Sequence, residues 1–377
     1  MDLLGDECED RIFGKAERTR TNRSCPLFHQ EIGLGMGLWD FVKRLLQPQD
    51  EGMVRSATVP KKSETKPSPG GGLPVSELAH RLKMSELDLH RLEPKYHEFV
   101  IPKRSGGQRR IFAPAQDLKK VQRRILRRIL SRLKCHPAAK GFERGQSIVT
   151  NASPHVRQAV VIRMDLKDYF ESTKAERIHD FFRRIGWDKE AAGILTRLCT
   201  HHGGLPPGAP TSPRLSNLVN YRLDTRLAAL AKGGKTPCYN PRTGSQVVQT
   251  IPTAGVATYT RYADDLTFSF ADEHPGSIHR LIFFVKRIVK DEGYQVHMRK
   301  KLQIRRQHDQ QKVTGLVVND RVNLPRAVRR QLRAVEHHHR TGLPATMTSA
   351  QLAGWKALQT MIAKQRSQSR SQQDSAK

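Results

Sequence analysis

The chain is poor in acidic residues, lacks paired cysteines and contains no long apolar run, and each shortage excludes a class of protein. No stretch reaches the roughly 18 apolar residues that a spanning helix needs, so neither a transmembrane helix nor a membrane partner is expected. The five cysteines, Cys8, Cys25, Cys135, Cys199 and Cys238, are odd in number and include no CxxC pair. That argues against a disulfide framework and suits reduced thiols in a cytoplasm. Cys25 with His29 is too little for a zinc site, and His337-His338-His339 reads as a solvated helix face. The first residues are acidic where an export signal would be basic, so a cytoplasmic location is expected.

Acidic residues number 36 against 66 Lys and Arg, a formal net charge of +30 spread over most of the chain. Such an excess points to a polyanion, because neutralising phosphates releases condensed counterions and gives strong, salt-sensitive binding. A merely solvated basic surface is the alternative reading.

Residues 1–72 are polar and irregular and end in Lys66-Pro67-Ser68-Pro69-Gly70-Gly71-Gly72, a flexible linker. Only Leu38 to Leu46 looks helical there, and Gly33 to Gly37 lacks the strand and helix of a phosphate loop. Residues 73–158 begin with helical spacing at Leu78, Leu82, Leu87 and Leu92. A hairpin follows, with Phe99-Val100-Ile101 and Arg109-Arg110-Ile111-Phe112 around Ser105-Gly106-Gly107. Its Lys103, Arg104, Arg109 and Arg110 suit either a triphosphate or a nucleic-acid backbone. Gln122 to Lys134 reads as an amphipathic helix, and Ile178, Phe181, Phe182 and Ile185 mark another that stops at Gly186. Ser212 as N-cap and Pro213 as first residue would open a further helix. Residues 159–312 carry an inserted loop or hairpin at 232–258. Residues 313–364 end in a helical lobe, and 365–377 read as a polar tail.

Tyr262-Ala263-Asp264-Asp265 lies between two stretches, Ala257 to Tyr262 and Leu266 to Phe270, whose alternating apolar residues predict half-buried strands. Two carboxylates then sit at a hairpin tip, where an ordinary Asp-containing turn is the bland alternative. A third arrives at the end of Ala159 to Met164, a run suited to a strand buried on both faces, which delivers Asp165. Mg²⁺ is held by one or two carboxylates together with phosphate and water, so three Asp residues suffice for two ions.

With these parts in order, the chain resembles the reverse transcriptases, and specifically those of bacterial retrons, over roughly residues 74–340. The polymerase motifs are Arg163-Met164-Asp165-Leu166-Lys167-Asp168-Tyr169-Phe170, Leu205 to Pro213 and Tyr262 to Asp265. Two further segments, Asn151-Ala152-Ser153-Pro154-His155 (NAxxH) and Val313-Thr314-Gly315 (VTG), separate retron enzymes from other bacterial members.

The resemblance implies an α/β (α+β) right-hand fold of fingers, palm and helical thumb; residues 1–72, outside that pattern, are expected to form a mostly disordered N-terminal extension. Asp165, Asp264 and Asp265 would be catalytic and, with Leu166, hold two Mg²⁺ ions, Mn²⁺ being an alternative. Lys103, Arg109, Phe170, Gly208 and Lys300 would meet the dNTP, Phe170 as the ring that rejects a ribose 2′-OH. Asn151, His155, Val313, Thr314, Gly315, Arg329, Arg330 and Arg333 would grip RNA. The implied partners are dNTPs, a cognate structured noncoding RNA, its DNA product and a separate effector protein. The implied activity is RNA-directed DNA synthesis primed from an RNA 2′-OH to give branched multicopy single-stranded DNA, in antiphage defence. A group II intron type reverse transcriptase and a noncatalytic RNA-binding scaffold are the competing readings. One departure stands out: Pro207 occupies the place of the usual Gln in the LPQG motif.

Overall fold

The computed structural model describes residues 71–102, 106–233, 235–239, 246–250, 256–297 and 302–374. The expected helix at 38–46, the Gly33 to Gly37 stretch, Lys103, Arg104 and Lys300 lie outside the described residues.

The first lobe is built from helices α1 (Val75–Leu82), α2 (Glu86–Arg91) and α3 (Gln116–Arg128), with the antiparallel hairpin β1 (Tyr96–Pro102) and β2 (Gln108–Pro114). Leu78, Leu82, Leu118 and Ile125 are fully buried there with Phe182, Trp187 and Leu195 from helices α5 (Ala175–Arg184) and α6 (Lys189–Cys199) and the turn between them. Helix α3 opens six residues before the expected start at Gln122 and stops at Arg128, with a 3₁₀ turn over Leu130–Arg132. Asp117 in its first turn favours the earlier start through the helix dipole.

The second lobe is a four-stranded sheet in the order β6 (Ala257–Tyr262), β7 (Asp265–Phe270), β3 (Val160–Asp165) and β8 (Gln303–Arg306), antiparallel throughout. One face packs Val160, Ile162, Met164, Leu266, Phe268 and Phe270 against helices α8 (Tyr221–Ala231) and α9 (Pro275–Asp291). Strand period 2 then sends Asp165, Asp265, Thr267 and Ser269 to the opposite face. Strand β7 was expected to be half-buried, yet Leu266 to Phe270 are all buried, because β7 lies between β6 and β3 and its second face is covered as well. Helix α7 (Ser212–Val219) is capped one residue earlier than expected, at Thr211; Ser212 Oγ instead donates to the Pro206 carbonyl at 2.7 Å. The insertion is a hairpin of β4 (Lys235–Tyr239) and β5 (Gln246–Thr250).

The third lobe joins helix α4 (Ile148–Ala152), the two-residue strands β9 (Lys312–Val313) and β10 (Leu316–Val317), and helices α10 (Arg326–Thr341) and α11 (Ser349–Asp374). Its core of Val149, Val313, Leu316, Leu332, Val335 and Ile362 includes Val161 of the central sheet, so this lobe abuts the strand that carries Asp165. Helix α11 continues through the segment 365–377 as far as Asp374, where a polar tail was expected. Ser147 Oγ donates to Gln365 Oε1 at 2.6 Å, a contact that anchors the helix near the start of that segment.

Candidate active site

Asp165 and Asp265 are direct cross-strand partners on β3 and β7, on the sheet face away from the palm helices. Paired Cβ atoms in such a position lie about 5 Å apart, so both carboxylates project from one spot at the sheet's end. Asp264 occupies the turn with Ala263, whose φ of +57° is unusual for a residue with a side chain. The Leu166 amide donates to the Asp264 carbonyl at 3.0 Å, and the His297 amide to the Asp165 carbonyl at 2.7 Å. The first bond locks the strand end against the turn, and the second ties it to the segment that follows α9. Arg163, two residues before Asp165 on the same face, donates from Nη2 to Asp265 Oδ2 at 2.9 Å.

Three hard carboxylates fit a divalent ion that takes oxygen ligands, Mg²⁺ and Mn²⁺ alike. Among the described residues no group of three or more His, Cys, Asp or Glu side chains closes around an ion by itself.

Phe170, five residues after Asp165, is half-buried, its ring 5.4 Å from Tyr169 and 6.2 Å from Phe142, between ring centres. Its carbonyl accepts from the Leu205 amide at 3.1 Å, which ties the Asp165 segment to Leu205–Pro213. Pro207 is buried and its carbonyl accepts from the Phe112 amide at 2.8 Å. Gly208 adopts φ +113°, and a Cβ there would meet Ile111 Cγ2 at 2.8 Å and the Phe112 carbonyl at 2.9 Å. Gly208 is therefore required for close packing under the fingers hairpin. Arg109 is exposed on β2, while its neighbour Arg110 pairs with Glu98.

Sequence reasoning missed two residues here. Phe142, 45% exposed and strained at φ +61°, lies 6.4 Å from Tyr262 as well as close to Phe170. Gly141 approaches the Ala263–Asp264 turn so closely that a Cβ would stand 2.7 Å from the Ala263 amide nitrogen. Both are backbone-determined features with no compositional signal. A Gly141→Ala protein should lose roughly 100-fold in DNA synthesis, since a displacement of about 1 Å at reacting groups costs that much, with RNA affinity unchanged in a filter-binding assay.

The expected RNA-contact residues divide. Asn151 and His155 are fully buried. His155 bonds Ser269 Oγ through Nδ1 at 2.7 Å and Thr260 Oγ1 through Nε2 at 2.8 Å, and burial pushes its pKa down to about 3. Both side chains are enclosed in the fold, and His155 is a neutral strut across the β6–β7 hairpin. Val313 is likewise core, and Thr314 and Gly315 form the β9–β10 turn at φ +46° and +83°. Thr314 Oγ1 donates to the Ile148 carbonyl at 3.1 Å, so the NAxxH and VTG segments meet at α4. Arg329, Arg330 and Arg333 are exposed on α10.

The family profile described as reverse transcriptase (RNA-dependent DNA polymerase) matches residues 101–318, which defines the class. The retron Mx65 reverse transcriptase of Myxococcus xanthus is 34% identical over 340 residues, covering 85% of this chain and 73% of that protein. The retron Mx162 reverse transcriptase of the same organism is 36% identical over 305 residues, covering 72% and 58%. The retron Ec86 reverse transcriptase of Escherichia coli is 32% identical over 278 residues, covering 71% and 79%. The chain belongs to the retron-type reverse transcriptases and is an RNA-directed DNA polymerase. Its mixed helix and strand fold is that of a right-hand polymerase with fingers, palm and thumb.

Proposed function

We propose that this polymerase copies a structured noncoding RNA made by its own locus, priming from the 2′-OH of a guanosine within that RNA and leaving a branched RNA–DNA molecule. The observation that supports this best is the meeting of the NAxxH and VTG segments at α4, between the catalytic sheet and the thumb. A block of that kind ties the grip on one RNA fold to the position of the carboxylates.

In the reaction the ribose hydroxyl oxygen bonds the α-phosphorus of a dNTP, the bond to pyrophosphate breaks, and the hydroxyl proton passes to solvent. Asp165, Asp264, Asp265 and the Leu166 carbonyl would hold two Mg²⁺ ions, which when bound activate the hydroxyl and neutralise the leaving phosphates. Arg163 holds the Asp265 carboxylate in one orientation. Phe170 excludes a 2′-OH on the incoming sugar, and Arg109 meets the triphosphate. Arg329, Arg330 and Arg333 take RNA phosphates on the thumb. Replacing all three by Ala should lower the slope of log affinity against log salt by about 2, measured by filter binding from low to high salt.

The physiological setting we infer is cytoplasmic antiphage defence together with a separate effector protein. Among the described residues no helix is long and apolar enough to cross a membrane. Purifying the protein from its native host and sequencing the nucleic acid that copurifies tests the reading. DNA joined to a short RNA from the neighbouring locus is expected; spliced intron RNA would replace this reading with that of an intron enzyme.

A further inference from the structure

Arg261 and Asp224 are both fully buried on the helix side of the palm sheet, beneath the catalytic turn. Arg261 Nε donates to Asp224 Oδ1 at 2.7 Å and Nη2 to Oδ2 at 2.6 Å, and the Tyr259 hydroxyl donates to the same Oδ1 at 2.8 Å. Such a pair is seldom more stable than apolar residues of the same volume, because both ions lose their hydration. Fold stability alone therefore does not account for it.

The third nitrogen of Arg261 explains what the pair does. Nη1 donates to the Ala263 carbonyl at 3.0 Å, to the Tyr169 hydroxyl at 2.7 Å and to Asn217 Oδ1 at 3.1 Å. Ala263 is the left-handed residue of the catalytic turn, and Tyr169 immediately precedes Phe170. Asn217 in turn donates to the carbonyl of Gly141, the residue pressed against that turn, at 2.7 Å. The backbone of Arg261 completes the arrangement: its amide donates to the Ala138 carbonyl at 2.8 Å, and its carbonyl accepts from the Lys140 amide at 2.7 Å.

We propose that Arg261 is a positioning residue for catalysis. From the buried side of the sheet it holds the Ala263–Asp264 turn, the side chain of Tyr169 next to Phe170 and, through Asn217, the Gly141 segment in one mutual arrangement, with Asp224 fixing the guanidinium plane. Carboxylates on the turn and the ring at Phe170 then share a single support, so chemistry and sugar selection are coupled. The proposal rests on the reading of Asp264 and Asp265 as catalytic.

The test is single-turnover dNTP addition on an RNA template by the full chain, which separates burst amplitude from burst rate. Arg261→Lys keeps a cation opposite Asp224 but cannot supply the Nη1 bonds. Its burst amplitude, the fraction of competent enzyme, should be retained while its burst rate at saturating dNTP falls roughly 100-fold. Tyr169→Phe leaves the ion pair intact and serves should the lysine variant fold poorly; its ratio of dNTP to rNTP incorporation should fall together with the burst rate. A reduced amplitude at the wild-type burst rate in Arg261→Lys, or an unchanged rate and ratio in Tyr169→Phe, would mean a purely structural role and overturn the proposal. Asp265→Asn runs alongside as control. If it polymerises normally, the catalytic reading itself has failed, and the proposal with it.

Discussion

An Asp265→Asn enzyme is expected to bind RNA as the wild type does and to synthesise no DNA. Asn matches Asp in volume and retains an oxygen that can accept from Arg163 Nη2, so the cross-strand pair with Asp165 and the turn at Ala263 persist. The carboxylate is 27% exposed, and an isosteric change at such a site costs about 1 kcal/mol or less. Losing one charge from the donor set removes electrostatic stabilisation where charge moves between phosphates, worth on the order of 10³-fold or more. Asp165→Ala should act in the same way with a larger stability cost, since Asp165 is nearly buried. RNA affinity should hold or rise slightly, because a negative charge near phosphates has gone. Primer extension and filter binding on the same preparations check both halves; extension by either variant at the wild-type rate would remove the carboxylates from the mechanism.

Replacing Phe170 with Ala should admit ribonucleotides. The ring has its backbone pinned by Leu205 and lies near Tyr169 and Phe142, so it has little room to retreat from a 2′-OH. A pocket wall that merely omits a methylene discriminates by roughly 10- to 200-fold, and a rigid ring that clashes with a hydroxyl should reach at least about 100-fold. The expected outcome is loss of most of that preference, read as the ratio of kcat/KM for dCTP and CTP. Part of the ring packs on both the fingers and palm cores, so the melting temperature should drop as well. A variant that melts lower but still rejects CTP would leave Phe170 as packing alone.

The meeting of Asp165 with Asp265 was legible in the sequence because strand periodicity and chain order fix it. Two apolar alternations flank Asp264 and Asp265, and a buried run ends on Asp165, so strand pairing alone brings them together. Features that depend on contacts between distant segments were not legible. Asn151 and His155 read as a polar motif fit for RNA, yet His155 spends both ring nitrogens on Thr260 and Ser269, more than a hundred residues away. Pro207 stands in the sequence only as a departure from the usual Gln; in the fold it is buried and its carbonyl accepts from the Phe112 amide of the β1–β2 hairpin. The same limit hid Arg261, which in sequence is one more basic residue of a basic chain and in the fold is a fully buried guanidinium bonded to Asp224, Tyr169 and the Ala263 carbonyl. Helix α11 ran past its expected end because low hydrophobicity was read as tail, whereas Gln365 is anchored by Ser147.

The chemistry of the first bond made tests the account most directly. Full-length enzyme, its locus RNA and dNTPs are incubated with Mg²⁺ and no added primer, and the DNA product is then treated with alkali and weighed by mass spectrometry. Alkali cleaves RNA through a free 2′-OH, so a ribose already substituted at that oxygen keeps its 3′-phosphodiester. DNA carrying a short alkali-resistant ribonucleotide stub at its 5′ end is the expected product. DNA with a clean 5′ hydroxyl, or DNA made only when a 3′-OH primer is supplied, would contradict it.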